Sequence, residues 1–126
     1  MTGSKKDLEE LLPMLDDCID DYHRYDNLSM DQLMDLHRRI TTINYYLATK
    51  KVEAYKDWNE CVKTLTKLDG NGKKMPYNRA SNEADLKHPE LYMLRTIIKE
   101  STAIAEGIRS NISQLKAQIQ NGVRQN

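Results

Sequence analysis

Apolar residues return every three or four positions along three separate stretches of the chain, which is the spacing of one helix face. Leu8, Leu11, Leu12, Leu15, Ile19 and Tyr22 form the first stripe, with acids opposite, and predict an amphipathic helix over residues 5–23. Pro13 interrupts it. A proline inside a helix removes a hydrogen bond at about 3 kcal/mol, so the helix is expected to kink there or to begin there. The second stripe, Leu33, Leu36, Ile40, Ile43, Leu47, Ala54, Cys61, Leu65 and Leu68, predicts a helix over 30–68, opened by Ser29 and Gln32 at capping-box spacing. Lys50 and Asp57 fall on this seam and Tyr55, Trp58 and Val62 lie beside it, so the stripe rotates or the helix bends near 50–57. The third stripe is the most regular: Leu91, Leu94, Ile98, Ser101, Ala105, Ile108, Ile112, Leu115 and Ile119 alternate three and four apart and predict a helix over 89–121. Pro89 suits its first position, and Glu90 its positive end.

Asp69-Gly70-Asn71-Gly72 is a strong helix terminator, and residues 69–88 read as one long irregular connection with room for a helical turn at 81–86. His88 reads as an N-cap or a surface residue. The expected fold is all-α and a single domain: a long antiparallel, coiled-coil-like hairpin with the shorter first helix packed on one half. That first helix can cover the half with Leu33 to Leu47 and Ala105 to Ile119. The other half carries Tyr55, Trp58, Val62, Leu65, Leu91, Leu94 and Ile98 and has no third helix on this reading. Exposed apolar surface of that kind marks an interface, so these seven residues are expected to join copies of the chain into a homo-oligomer.

Composition narrows the class. With 126 residues, 39% hydrophobic, 30% charged and only three prolines, the chain suits one body of solvated helices rather than a sandwich or barrel. No apolar run approaches the ~20 residues of a membrane span and the start is no signal peptide, so no membrane association and a cytoplasmic location are expected. Cys18 and Cys61 lack metal-ligand spacing and read as thiols in a reducing compartment. A net charge of zero hides an asymmetry: residues 1–35 hold ten acids against three bases, net −7, and the other 91 hold sixteen bases against nine acids, net +7. An acidic element and a basic body can satisfy each other, or the first can keep the second off anionic partners.

Candidate chemistry is sparse. His23, His37 and His88 are scattered, no serine sits in a GxSxG turn, and no glycine-rich phosphate loop follows a strand. Asp16, Asp17, Asp20 and Asp21 read as a solvated helix face rather than a calcium loop. No catalytic activity, metal or cofactor is expected, which leaves binding. Lys56, Lys63 and Lys67 share a narrow stripe of the second helix, with Glu60 inside it, and Lys73, Lys74 and Arg79 extend the positive charge beside Tyr77. Lysines tracking phosphates beside an aromatic that stacks a base is the composition of a single-strand-binding surface, although solvated helix faces also carry lysines. Tyr45, Tyr46, Tyr55 and Trp58 read either as a stacking platform or, more commonly for such residues, as core or interface packing.

The helix 33–68, the segment GNGKKMPYNRASNEAD at 70–85 and RSNISQLKAQI at 109–119 together resemble the small recombination-mediator proteins of tailed bacteriophages. The resemblance spans about 95 residues and rests on layout: a long amphipathic helix, a glycine- and lysine-containing loop, an R-x-x-x-A-like stretch and a long C-terminal helix with basic residues near its end. It implies a ring-like helical oligomer in a bacterial host cytoplasm that binds single-stranded DNA and helps load a recombinase onto strands coated by a single-strand-binding protein. The acidic first helix and balanced charge depart from that family. Two other classes share the helical pattern: a phage-type protein that binds and inhibits a host protein through its acidic helix, and a purely structural helical assembly protein.

Overall fold

Residues 8–24, 27–67 and 74–125 are described by a computed structural model, with side chains placed through residue 122. They form α1 (Leu8–Arg24), α2 (Met30–Thr66), α3 (Tyr77–Lys87) and α4 (Glu90–Gln125), and no strand occurs among them. The all-α class is as expected. Helices α2 and α4 pack on each other more than any other pair, and α1 packs on α2. No described helix is long and apolar enough to cross a membrane.

The helix starts follow local chemistry. At the head of α2 the Ser29 N–H donates to Gln32 Oε1 at 2.8 Å and the Gln32 N–H donates back to Ser29 Oγ at 3.1 Å. Both are orphan donors of the first turn, and the reciprocal pair satisfies them. Helix α1 runs from Leu8 through Pro13 rather than beginning at it. Pro13 and Glu9, whose carbonyl the proline leaves without a helical donor, are both exposed, so water can take that carbonyl.

The chain gathers into two compact units: residues 1–47 with 98–126, and residues 48–97. The first unit is a three-helix core. Leu11, Leu15 and Cys18 of α1 are buried, as are Leu33, Leu36, Ile40, Ile43 and Leu47 of α2 and Ser101, Ala105 and Ile108 of α4. Here α2 and α4 run antiparallel: Asn44 bonds Ser101, while His37 lines one cavity with Arg109 and Leu33 another with Leu115. Ser101 is the one polar residue on the α4 seam and is fully buried; its hydroxyl donates to Asn44 Oδ1 at 2.6 Å, which removes the penalty of an unpaired group. Burial pushes the Cys18 thiol above its ordinary range, with Asp21, Asp17 and Asp35 adding to the rise and Arg39 opposing it, so the thiol stays protonated at neutral pH. Gly107 sits within α4, and a Cβ there would meet only the Tyr22 hydroxyl at an ordinary 3.7 Å. Replacing Gly107 with alanine is therefore expected to stabilise the protein by about 0.5–1 kcal/mol, read as a rise of a few degrees in the thermal midpoint.

The second unit holds the main correction. The connection 69–88 is not irregular throughout: residues 77–87 form α3, longer than the helical turn expected at 81–86. Pro76 precedes it with its carbonyl accepting the Ala80 N–H at 3.0 Å, and His88 closes it with its N–H on the Ala84 carbonyl at 2.8 Å. So His88 caps the end of α3 by its backbone and is not the N-cap of α4. Pro89 stands just before α4, its carbonyl accepting the Met93 N–H at 3.1 Å. Ala80 and Ala84, one turn apart and fully buried, form a cluster with Val62, and Trp58, Cys61, Leu65 and Met75 pack against it. The half of α2 expected to lack a third helix therefore has one. Val62, Leu91 and Leu94 are already buried within the single chain, which removes the reason for assigning them to an oligomer interface. Leu68 and the terminator at 69–72 lie outside the described residues. At its far end α4 continues past the expected stop at 121, through Gly122 to Gln125, although the apolar seam has already faded, with Ile119 58% exposed.

Candidate nucleic-acid interface

All the expected nucleic-acid contacts that are described fall in the unit 48–97, which holds ten bases and seven acids, net +3. Lys56, Lys63 and Lys67 are exposed, on and just beyond the last turns of α2, and Lys74, Tyr77 and Arg79 are exposed at and just before the start of α3. Lys73 lies outside the described residues. Tyr77 is 61% exposed, as a stacking residue must be.

Helix geometry decides which of these residues stand together. At about 100° per residue, Lys56, Lys63 and Lys67 span only some 40° of α2. Trp58, Val62 and Leu65, the side that receives α3, lie on the far side of the same helix. The lysine stripe and the Lys74–Tyr77–Arg79 group are therefore two separate basic groups and not one continuous patch. Two of the cations have partial local partners: Lys63 Nζ lies 3.9 Å from Glu60 Oε1, and Arg79 Nε 3.7 Å from Glu83 Oε1. Both pairs are on exposed helix surface, where such contacts contribute about 0–1 kcal/mol, so a phosphate can replace either carboxylate.

Of the aromatic candidates, Tyr45 and Tyr46 meet edge to face with ring centroids 5.8 Å apart, while Tyr55 and Trp58 are stacked at 5.9 Å and 27°. Trp58 Nε1 donates to Asp85 Oδ1 of α3 at 2.8 Å. Sequence reasoning missed Asp85, Ala80 and Ala84. Their one signal is two alanines four residues apart after a proline, too small an apolar content to register as a stripe.

The largest cavity described, of about 660 Å³, lies in the first unit and is lined by uncharged amides such as Asn111, Gln114 and Gln118 beside Tyr22. No lysine or arginine lines it. In the second unit a groove of about 330 Å³ runs past Asp57, Glu60, Cys61, Lys87 and His88. Its mixed charge gives no preference for an anion. Compared with known proteins, the chain matches no family model, no curated protein and no solved structure.

Proposed function

We propose that this chain is a non-enzymatic accessory protein of single-stranded DNA, working as a homo-oligomer in a bacterial cytoplasm and assisting a recombinase, as the resemblance to phage recombination mediators implies. The observation that carries the reading is the exposed stripe of Lys56, Lys63 and Lys67 on a unit of positive net charge. Stripes of this kind bind phosphates by releasing condensed counterions, without base specificity. The group at the head of α3 adds Lys74 and Arg79, with Tyr77 as a stacking ring. Support for self-association comes from apolar surface the unit leaves open, above all Leu86 at 83% and Tyr92 at 75% exposed, together with Val52 and Met93. These residues replace Val62, Leu91 and Leu94 as the surface on which copies would meet.

Charge reversal tests it. Changing Lys56, Lys63 and Lys67 together to glutamate is expected to weaken oligonucleotide binding strongly at low salt and to flatten its salt dependence, by about 0.7 in log–log slope per lost contact. Helicity should be unchanged, since exposed charges contribute little to folding. An affinity and slope equal to those of the native chain would remove the stripe from the binding surface.

A further inference from the structure

The stacked pair Tyr55–Trp58 on α2 is held by contacts from a second helix. Trp58 is held from both sides: its ring packs against the Val62, Ala80 and Ala84 cluster, and its indole N–H is fixed on the Asp85 carboxylate of α3 at 2.8 Å. Tyr55, one turn back on α2, lies nearly parallel to it at 5.9 Å and 27°, and is itself 45% exposed, so aromatic surface remains open to solvent. Lys51 and Asn59 stand one turn to either side of Tyr55 on the same face, and Lys56 is its chain neighbour. A locked ring, a second ring stacked on it and left half open, an amide and flanking cations are the parts that receive an unpaired base with its phosphates.

We infer that Tyr55 is a base-stacking residue, supported from behind by Trp58 and Asp85, and that its ligand is an unpaired nucleobase of a single strand whose phosphates meet Lys51 and Lys56. The inference deepens the reading that the chain engages single-stranded DNA and rests on it. It differs from that reading in assigning the stacking role to Tyr55, on α2, in addition to Tyr77. Trp58 acts here as a positioning residue, because its ring is turned to Tyr55 and to the core. Asp85 accepts the indole N–H through Oδ1 and keeps its charge, on the α3 side of Trp58 and not on the Tyr55 side.

Trp58 is the sole tryptophan of the chain, so its emission reports the platform directly. Oligothymidylate titrated into the full-length protein at low salt is expected to quench Trp58 emission saturably, in step with binding followed by the anisotropy of the labelled strand. Heparin, which carries charge and no bases, is expected to compete for the lysines without reproducing the quenching. Tyr55→Ala is expected to abolish the quenching and to weaken oligothymidylate by about fivefold to a hundredfold, the range for loss of one stacked base, while Tyr55→Phe retains both. Binding with native affinity in Tyr55→Ala, or quenching by heparin equal to that by the oligonucleotide, would overturn the stacking role and leave the lysine-based reading intact. Absence of binding by every form, including the native chain, would overturn both.

Discussion

Replacing Ile108 with aspartate is expected to unfold the three-helix unit at room temperature. Ile108 is completely buried on the α4 seam, in a unit whose core is made of aliphatics such as Leu11, Leu15, Leu36 and Ile40. The substitution removes the packing of a full-sized aliphatic side chain, worth about 2–5 kcal/mol, and adds a carboxylate that must be desolvated or take up a proton. Both terms together approach the roughly 5–15 kcal/mol by which a domain is stable. The control is Ile119→Asp, eleven residues further along the same sequence stripe but 58% exposed. It should change stability by no more than about 0.5 kcal/mol, as surface substitutions do. Circular dichroism melts of the two variants separate a seam buried along its whole length from one that frays toward its C-terminal end, as the burial gradient requires.

The second large effect is expected at α3. Ala80 and Ala84 are fully buried against Val62, so the helix docks on α2 through methyl groups with no spare volume. Replacing Ala84 with leucine adds three carbons at that contact, which typically destabilises by about 1–3 kcal/mol. The eleven residues of α3 are too few to hold a helix alone in water, so a displaced α3 melts. Trp58 then loses both its packing and the Asp85 carboxylate. The expected readout is a red-shifted tryptophan emission with greater access to a neutral quencher, together with a modest loss of helicity. Leu86→Ala, on the same helix but at an outward-facing position, should leave the emission unchanged.

That contrast also explains what the sequence revealed and what it hid. The stripes of α1, α2 and α4 are legible because each buries large aliphatics at a helical period, and the Ser29–Gln32 capping box is formed as its spacing implies. Helix α3 is hidden because its buried face consists of two alanines while its one large aliphatic, Leu86, points to solvent. Periodicity methods weigh Leu86 and discount the alanines, so the pattern reads as a loop. Missing α3 then produced the seven-residue oligomer surface, because Trp58, Val62 and Leu65 had no visible partner. On α2 the seam's turn near 50–57 is real: Ala54, Trp58 and Val62 follow in steps of four, which carries the buried face away from Asp57 and toward α3. The candidate binding residues were legible as types, since charge and aromatic content lie in the sequence itself. Their division into two groups was not, because it depends on which side of α2 the unseen helix covers.

The most direct measurement is the fluorescence anisotropy of a labelled, unstructured oligonucleotide titrated with the full-length protein across a salt series. Lys56, Lys63, Lys67, Lys74 and Arg79 are five exposed cations in two groups, so a strand that meets one group or both makes about three to five phosphate contacts. Saturable binding at low salt that weakens with added salt at a log–log slope of about −2 to −4 is the expected result. No binding at protein concentrations of tens of micromolar, or an affinity indifferent to salt, would contradict an association with single-stranded DNA.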